Sequence, residues 1–377
     1  MRLRKSSVVP VAVLAALCAG LSLMPSAETV VHDGGRSVRA RVVATDDSDV
    51  TLTGLLEYGT QHLTVEVLDG PGKGRRFAAN NELRAQLDLD KKFVPGDVAS
   101  VTWPEGGAAP DDALVARDHW RLGGLCLLFG CFAVLLVVFG GFTGAKALFS
   151  FVFSCFAVWK LLVPLCLNGW SAAWTTFGVV SVLTAVIMYL VAGATKKGAA
   201  AFLGALAGVG SSLALAEIFT RVLHVNGATM PFVQALLYSG YGSLDLADVF
   251  TGAIILASSG AVMDLAMDIA AGVGEVARHN PTLSRAALFA SGVRMGRAVV
   301  GTMTTTLLLA YSGGYLTLLM VFAAQGTSPL DFLNSTLVSA ELVKTLVGSF
   351  GLVLVAPLTA FVSAHVFAHR GRAPSAN

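Results

Sequence analysis

Three carboxylates interrupt one apolar run: Asp264, Asp268 and Glu275 all fall within residues 249–276. At about 100° per residue, Asp268 is rotated about 40° from Asp264 and Glu275 about 20°, so a helix aligns all three on one narrow stripe. The stripe extends about 16 Å at about 1.5 Å per residue. Carboxylates in a low-dielectric surrounding can take up and release a cation or a proton, and inside membranes they mark ion or proton routes. The plainer reading is structural, a set of salt bridges and hydrogen bonds that lock helices together. Ala257, Gly260 and Ala271 share the stripe, so a neighbouring helix or a file of water can approach closely.

The next segment supplies charge partners. His279, Asn280 and Pro281 end the run, and Thr282 or Ser284 is suited to cap a short helix from Arg285. Arg294, Arg297, Gly301 and Thr305 share one stripe of the helix that follows. Arg297 enters at about the depth of Glu275 and, with Arg294, reads as a gate or charge partner. Snorkelling arginines are the alternative. Gly301, Thr302 and Thr305 offer small size and hydroxyls for polar packing. Lys160 and Glu217 each fall toward one end of an apolar run and are expected to neutralise each other. Glu341 and Lys344, three residues apart, read as an interfacial pair.

A faint internal echo accompanies these residues. Ser211-Ser212 precede Glu217 as Ser258-Ser259 precede Asp264, on helices that run in opposite directions. Inverted repeats of transporters have this form, although Gly, Ala and Ser are abundant enough here for chance to produce it.

Enzyme chemistry is not expected. An aspartyl dyad needs acids converging from separate elements, and Asp264 and Asp268 share one. Gly210-Ser211-Ser212 has no histidine at its depth, and neither a P-loop nor a metal-binding motif occurs. All five cysteines sit in apolar runs, so no disulfide framework is expected. The seven histidines lack metal-ligand spacing, and no cofactor or metal is expected.

Composition dictates the elements that must position these groups. The chain is 55% hydrophobic and only 13% charged, about half the usual charged share of a soluble protein. A soluble globule, a disordered chain and a basic nucleic-acid-binding domain are therefore excluded. The charge is also unevenly placed, because residues 25–119 hold 16 of the 24 acids. The sequence therefore divides into a signal anchor or signal peptide at 1–27, a polar extracytoplasmic domain at 28–119, a membrane domain at 120–368 and a tail at 369–377.

A bilayer core about 30 Å thick calls for apolar runs of about 20 residues. Seven follow Trp120: 122–142, 147–167, 174–193, 198–222, 249–277, 298–324 and 341–367. With the run after Arg2, Arg4 and Lys5, read as a retained anchor in preference to a cleaved signal, the count is about eight. Lys146, Lys196, Lys197, Arg278, Arg285, Arg294, Arg297, Arg370 and Arg372 fall in alternate loops, so the positive-inside rule puts both termini in the cytoplasm. Trp120, Trp170 and Trp174 fit an outer aromatic belt.

The polar domain reads as strands. Alternation over 38–43 and 62–68, a turn at Asp69-Gly70-Pro71-Gly72, and a strand over 98–103 after Pro95-Gly96-Asp97 predict five or six short strands. A small barrel or sandwich, with an OB-like barrel as one form, follows. An OB-like barrel often binds nucleic acid or sugar; ten bases against 16 acids argue against nucleic acid, and a docking or gating module is the plainer reading.

The stretch 245–367 resembles the YibE/F-like family of multi-spanning bacterial membrane proteins. The likeness rests on Ala261-Val262-Met263-Asp264, the Asn280-Pro281 break, Ser291-Gly292, Met295-Gly296-Arg297 and Gly301-Thr302-Met303-Thr304. Leu309-Ala310-Tyr311-Ser312-Gly313 and Pro357-Leu358-Thr359-Ala360 extend it, and Val65-Glu66-Val67-Leu68-Asp69-Gly70 carries a looser likeness in the polar domain. The resemblance implies a bacterial plasma-membrane protein of this layout, a permease in type, and supplies no substrate. The expected function is an ion-coupled secondary transporter in the lipid bilayer, moving a small solute or ion through the acidic stripe. The alternative is a non-transporting scaffold whose outer domain docks a protein partner.

Overall fold

The structure is a computed structural model, and it describes Gly20 and residues 35–70, 72–104 and 113–368. The expected N-terminal anchor and the tail from 369 lie outside the described residues. The chain forms two compact units, one over Val31–Leu135 and one from Leu136 onward.

The first unit is a closed five-stranded barrel. Its strands are β1 Gly35–Thr53, β2 Leu56–Val67, β3 Arg76–Arg84, β4 Val98–Pro104 and β5 Leu114–His119, in the order β1-β2-β3-β5-β4. Closure comes from β1, whose first half pairs antiparallel with β4 from Gly35↔Pro104 to Arg41↔Val98. The rest of β1 pairs with β2, and register shifts at Val42/Ala44 and Asp46/Asp49 bend the strand as bulges do. Gly59 sits opposite the second shift at φ 118°, where a Cβ would collide with the Asp49 carbonyl, so only glycine fits. Among the described strands, β3 and β5 pair in parallel, through Ala79↔Leu114 and Asn80↔Val115.

Alternate residues fill the barrel: Val38, Ala40, Val42, Leu63, Val65, Val67, Val101 and Trp103 are buried. Two amides join them. Gln61 donates to Asp47 Oδ1 at 2.9 Å and to the Phe93 carbonyl at 2.9 Å. Asn81 donates to Gln61 Oε1 at 3.1 Å and to the Lys91 carbonyl at 2.6 Å. Their buried hydrogen bonds tie the segment between β3 and β4 across one side of the barrel. On the rim, Lys92 bridges Asp47 at 3.0 Å and Glu57 at 2.9 Å.

The second unit is helical, and its first helix starts within the first unit. Its elements are α1 Leu122–Ala157, a π-helical turn Val158–Leu162, α2 Val163–Leu167, α3 Ala172–Ala192, α4 Lys196–Val222, α5 Val233–Tyr238, α6 Leu246–His279, α7 Arg285–Gly314, α8 Leu316–Ala324, α9 Pro329–Asn334 and α10 Thr336–Phe367. Among the described residues, five stretches are long and apolar enough to cross a membrane, and six if α7 and α8, bent by 65° about Tyr315, count as one. The stretch Leu122–Leu167 is 46 residues long, about 69 Å if straight, over twice a bilayer core. It is broken at Gly141, whose φ of 55° and ψ of −133° are not helical.

Two boundaries differ from the sequence reading. The expected loop around Lys146 is helical, because the break falls earlier, at the one glycine with positive φ in that stretch. The segment from Arg285 is not a short separate helix. Ser284 caps it, its Oγ accepting from the Ala287 N–H at 3.2 Å, and the helix then runs on to Gly314.

The core of this unit is the crossing of α4, α6 and α10. Their backbones approach so closely that glycine is required at the contacts. A Cβ on Gly208 would lie 2.8 Å from Val355 and 2.9 Å from Val262, and one on Gly204 would overlap Thr359. Gly351 leaves the same room for Ser212. Around these crossings Ala205, Val209, Ile255, Val262, Leu265, Ile269, Leu352 and Val355 are buried.

Candidate functional site

Helix α6 begins at Asp245, whose carboxylate accepts from the N–H groups of Ala247 at 3.0 Å and Asp248 at 3.2 Å. Its apolar residues then recur at helical spacing and bury the face carrying Ile255, Val262, Leu265, Ile269 and Val273. The opposite face is left outside. Asp264, Asp268 and Glu275 lie on it, and all three are exposed. Gly260 shares that face, and a Cβ there would meet nothing within 4 Å.

The acids share a stripe as the spacing predicts, but the stripe points away from the bundle. The physical reason lies in the core: α4 and α10 pack against the apolar face of α6 that carries Ile255, Val262, Leu265 and Ile269, leaving no space there for carboxylates. Glu275 forms an ion pair on its own helix, with Arg278 at 2.5 Å, and His279 lies 3.4 Å away. The expected gate between Glu275 and Arg297 is therefore not assembled within one chain.

On α7, Leu288, Gly292, Gly296 and Leu307 face inward. Arg294, Arg297, Gly301, Thr302 and Thr305 are exposed. Among the described residues, no hydrogen bond or ion pair joins Arg294 or Arg297 to Asp264 or Asp268. The threonine hydroxyls are used locally. Thr302 donates to the Val299 carbonyl at 2.9 Å and Thr305 to the Gly301 carbonyl at 3.1 Å, satisfying each group on its own helix.

Glu217 finds its partner on its own helix too, with Arg221 at 3.6 Å. Glu341 and Lys344 pair at 2.6 Å, and Lys344 also lies 5.8 Å from the centre of the Phe250 ring. Of the internal echo, the serines do not keep equivalent places: the first of one pair, Ser258, lies beside Gly348 of α10, whereas in the other pair it is the second, Ser212, that lies beside Gly351. Nor do the acids, since Asp264 is exposed whereas Glu217 borders a cavity of about 100 Å³ with Thr220, Asp245 and Asp248.

Two features escape the sequence reading. Asp248 reaches from the first turn of α6 to the start of α3, where it accepts from the N–H of Ala172 at 2.5 Å and from Ser171 Oγ at 3.2 Å. The sequence signal was its position three residues after the cap Asp245. Second, the buried hydroxyls of Tyr311, Thr359 and Ser363 have no hydrogen-bond partner among the described residues. Tyr311 and Thr359 both belong to the motifs that carry the family likeness, a hint available before the fold.

Outside the long helices, the barrel carries its own electrostatic cluster. His62 lies 2.8 Å from Asp49 and 3.0 Å from Asn80 Oδ1. The hydrogen bond to Asp49, then that to Asn80, pushes the imidazole above its ordinary range. Asp69 is held low by its hydrogen bonds to the Arg39 side chain and backbone N–H, both at 2.7 Å.

A small β-barrel followed by a bundle of long apolar helices defines a class: proteins whose helical part has the length and composition of membrane spans. The chain belongs to the YibE/F-like protein family, which matches residues 128–369. The matched region opens within α1 and holds every candidate residue on α6 and α7, while the barrel lies outside it. No curated protein and no solved structure matches the chain.

Proposed function

We propose that this chain is a multi-pass protein of a bacterial plasma membrane and works there as an ion-coupled permease. In this reading the long helices are spans. The two arms of Leu122–Leu167 count separately, α7 with α8 counts once, and an N-terminal anchor brings the number to about eight. Lys196, Lys197, Arg278 and Arg285 mark cytoplasmic ends by the positive-inside rule, and the barrel lies outside the cell. Its strand order, with β3 parallel to β5, supports the OB-like form of the five-stranded barrel.

One observation carries the transport reading. Asp264 and Asp268 stand on a single face of an apolar 34-residue helix without a charged partner on any neighbouring helix among the described residues. Carboxylates at membrane depth are costly, and those that persist mark ion paths and proton relays. Asp264 and Asp268 are the binding groups, and Glu275 with Arg278 forms the cytoplasmic end of the route.

A second reading has its own support. The glycine contacts at Gly204, Gly208 and Gly351 close the α4–α6–α10 core to any solute, as a rigid scaffold would require. Its outer barrel would then dock a protein partner. Reconstitution in vesicles with an internal pH dye separates the two. Transport predicts a solute-dependent pH change that Asp264→Asn or Asp268→Asn abolishes. Variants that keep both the membrane level and the cellular phenotype would leave the scaffold.

A further inference from the structure

The last turns of α4 and the first turns of α6 border a small polar cavity that the transport reading does not use. Glu217, Thr220 and Arg221 line it from α4, and Asp245, Asp248 and Thr251 line it from α6. Its volume is about 100 Å³, room for about three waters at about 30 Å³ each. Apart from the Arg221 guanidinium, every side chain named here offers oxygen, the ligand type of hard cations.

Charge favours a cation there. Three acids against the single base Arg221 leave two negative charges uncompensated. Arg221 is a loose partner, 3.6 Å from Glu217 Oε2 with its side chain 81% exposed. Among the described residues, Glu217 Oε1 and Asp245 Oδ2 take part in no hydrogen bond or ion pair. Asp248 is committed to the start of α3 and contributes charge. The helix ends add to the field, since α4 brings its negative C-terminal end here. The first N–H groups of α6 are already capped by Asp245.

A second observation is independent of charge. Thr220 is 4% exposed, and its hydroxyl has no hydrogen-bond partner among the described residues. A buried polar group stranded in this way calls for a water or an ion. Thr251, 3% exposed, lines the same space from the other helix. Among the described residues, no three acidic, histidine or cysteine side chains are placed to hold a bare metal ion. A cation that keeps several waters needs only one or two carboxylates, as Mg²⁺ commonly does.

We propose that this cavity binds a hydrated divalent cation, held by Glu217 and Asp245 with hydroxyl oxygens from Thr220 and Thr251. Arg221 competes with the cation for Glu217. The binding itself goes beyond the transport reading. Only its placement outside the cell rests on the long helices being spans, because Lys196, Lys197 and Arg278 mark the opposite ends of α4 and α6.

Isothermal titration of the full chain with magnesium chloride tests it, in nanodiscs of phosphatidylcholine, a lipid without net charge, at fixed ionic strength. Mg²⁺ binds saturably and Na⁺ does not replace it. Glu217→Gln removes a free carboxylate and weakens binding about tenfold or more, the usual effect of losing a group beyond the metal's own ligands. Arg221→Gln removes the competing base and tightens binding at least about twofold. Both side chains are partly exposed, so the fold tolerates either change. Thr220→Val keeps the shape, removes the stranded hydroxyl, and weakens binding without lowering the metal-free unfolding midpoint. The proposal is overturned by absent Mg²⁺ binding, by Na⁺ binding equally well, by wild-type affinity in Glu217→Gln, or by an affinity that fails to rise in Arg221→Gln. Vesicle pH measurements keep the two readings apart. Mg²⁺ binding without a solute-dependent pH change sinks transport alone, and transport without Mg²⁺ binding sinks the cation site alone.

Discussion

Asp248 on the first turn of α6 caps the start of α3, its Oδ2 2.5 Å from the Ala172 N–H. The first N–H groups of a helix lack intrahelical partners, and a carboxylate there both accepts their hydrogen bonds and opposes the positive end of the helix dipole. The contact spans 76 residues of sequence. Asp248→Ala is expected to lower stability by about 0.5–2 kcal/mol, the usual cost of losing such a cap. Thermal unfolding in mild detergent measures it, and an unchanged midpoint would remove Asp248 from this role.

The glycine contacts give a paired prediction. Gly204→Ala forces a methyl group into Thr359 and is expected to destabilise by about 1–3 kcal/mol, as overpacking does. Gly178→Ala on α3 meets nothing within 4 Å and is expected to stabilise by about 0.5–1 kcal/mol through helix propensity. Opposite shifts in the unfolding midpoint check the pair. Equal shifts would mean that the α4–α10 crossing is looser than the glycines imply.

The barrel network predicts a local effect. Gln61→Leu leaves the buried Asn81 amide and the Phe93 N–H short of a partner, at about 1–3 kcal/mol for each stranded group. The segment from Ala85 to Asp97 loses its ties first, so limited proteolysis should cut there sooner than in the wild type. The cleavage rate between β3 and β4 is the measurement.

His62 gives a pH dependence of definite sign. Its folded-state pKa is raised by the hydrogen bonds to Asp49 and Asn80. The unfolded imidazole titrates near 6.5, so the stabilisation is fully present below that value and fades as pH rises through the higher folded value. His62→Gln should therefore cost stability at pH about 5.5 and progressively less toward pH about 8.5. Unfolding midpoints of the full chain across that range test it. A gap that widens with pH would contradict the assignment.

Much of the layout is legible in the residues. Alternation at Val38, Ala40 and Val42 marks a barrel strand because its side-chain period is two and local. The apolar runs mark helices for the same local reason. The break at Gly141 is not legible in this way, since glycine is equally common in unbroken stretches such as α4. The extension of α7 back to Arg285 was also hidden, because Arg294 and Arg297 interrupt its apolar pattern while its backbone hydrogen bonds continue.

The candidate site divides in the same manner. Spacing alone puts Asp264, Asp268 and Glu275 on one face, because 3.6 residues per turn is a property of the helix itself. It cannot say which way that face points. That is decided by non-local packing, in which Gly208, Gly351 and Gly296 admit neighbouring backbones so closely that the opposite side of α6 becomes the core. The parallel pairing of β3 with β5 and the reach of Asp248 to α3 are of the same kind. Sequence by itself determined the barrel strands, the apolar helices and the alignment of the charges. Only the tertiary structure decided that those charges face outward, since burial depends on which distant residues come to occupy the other face.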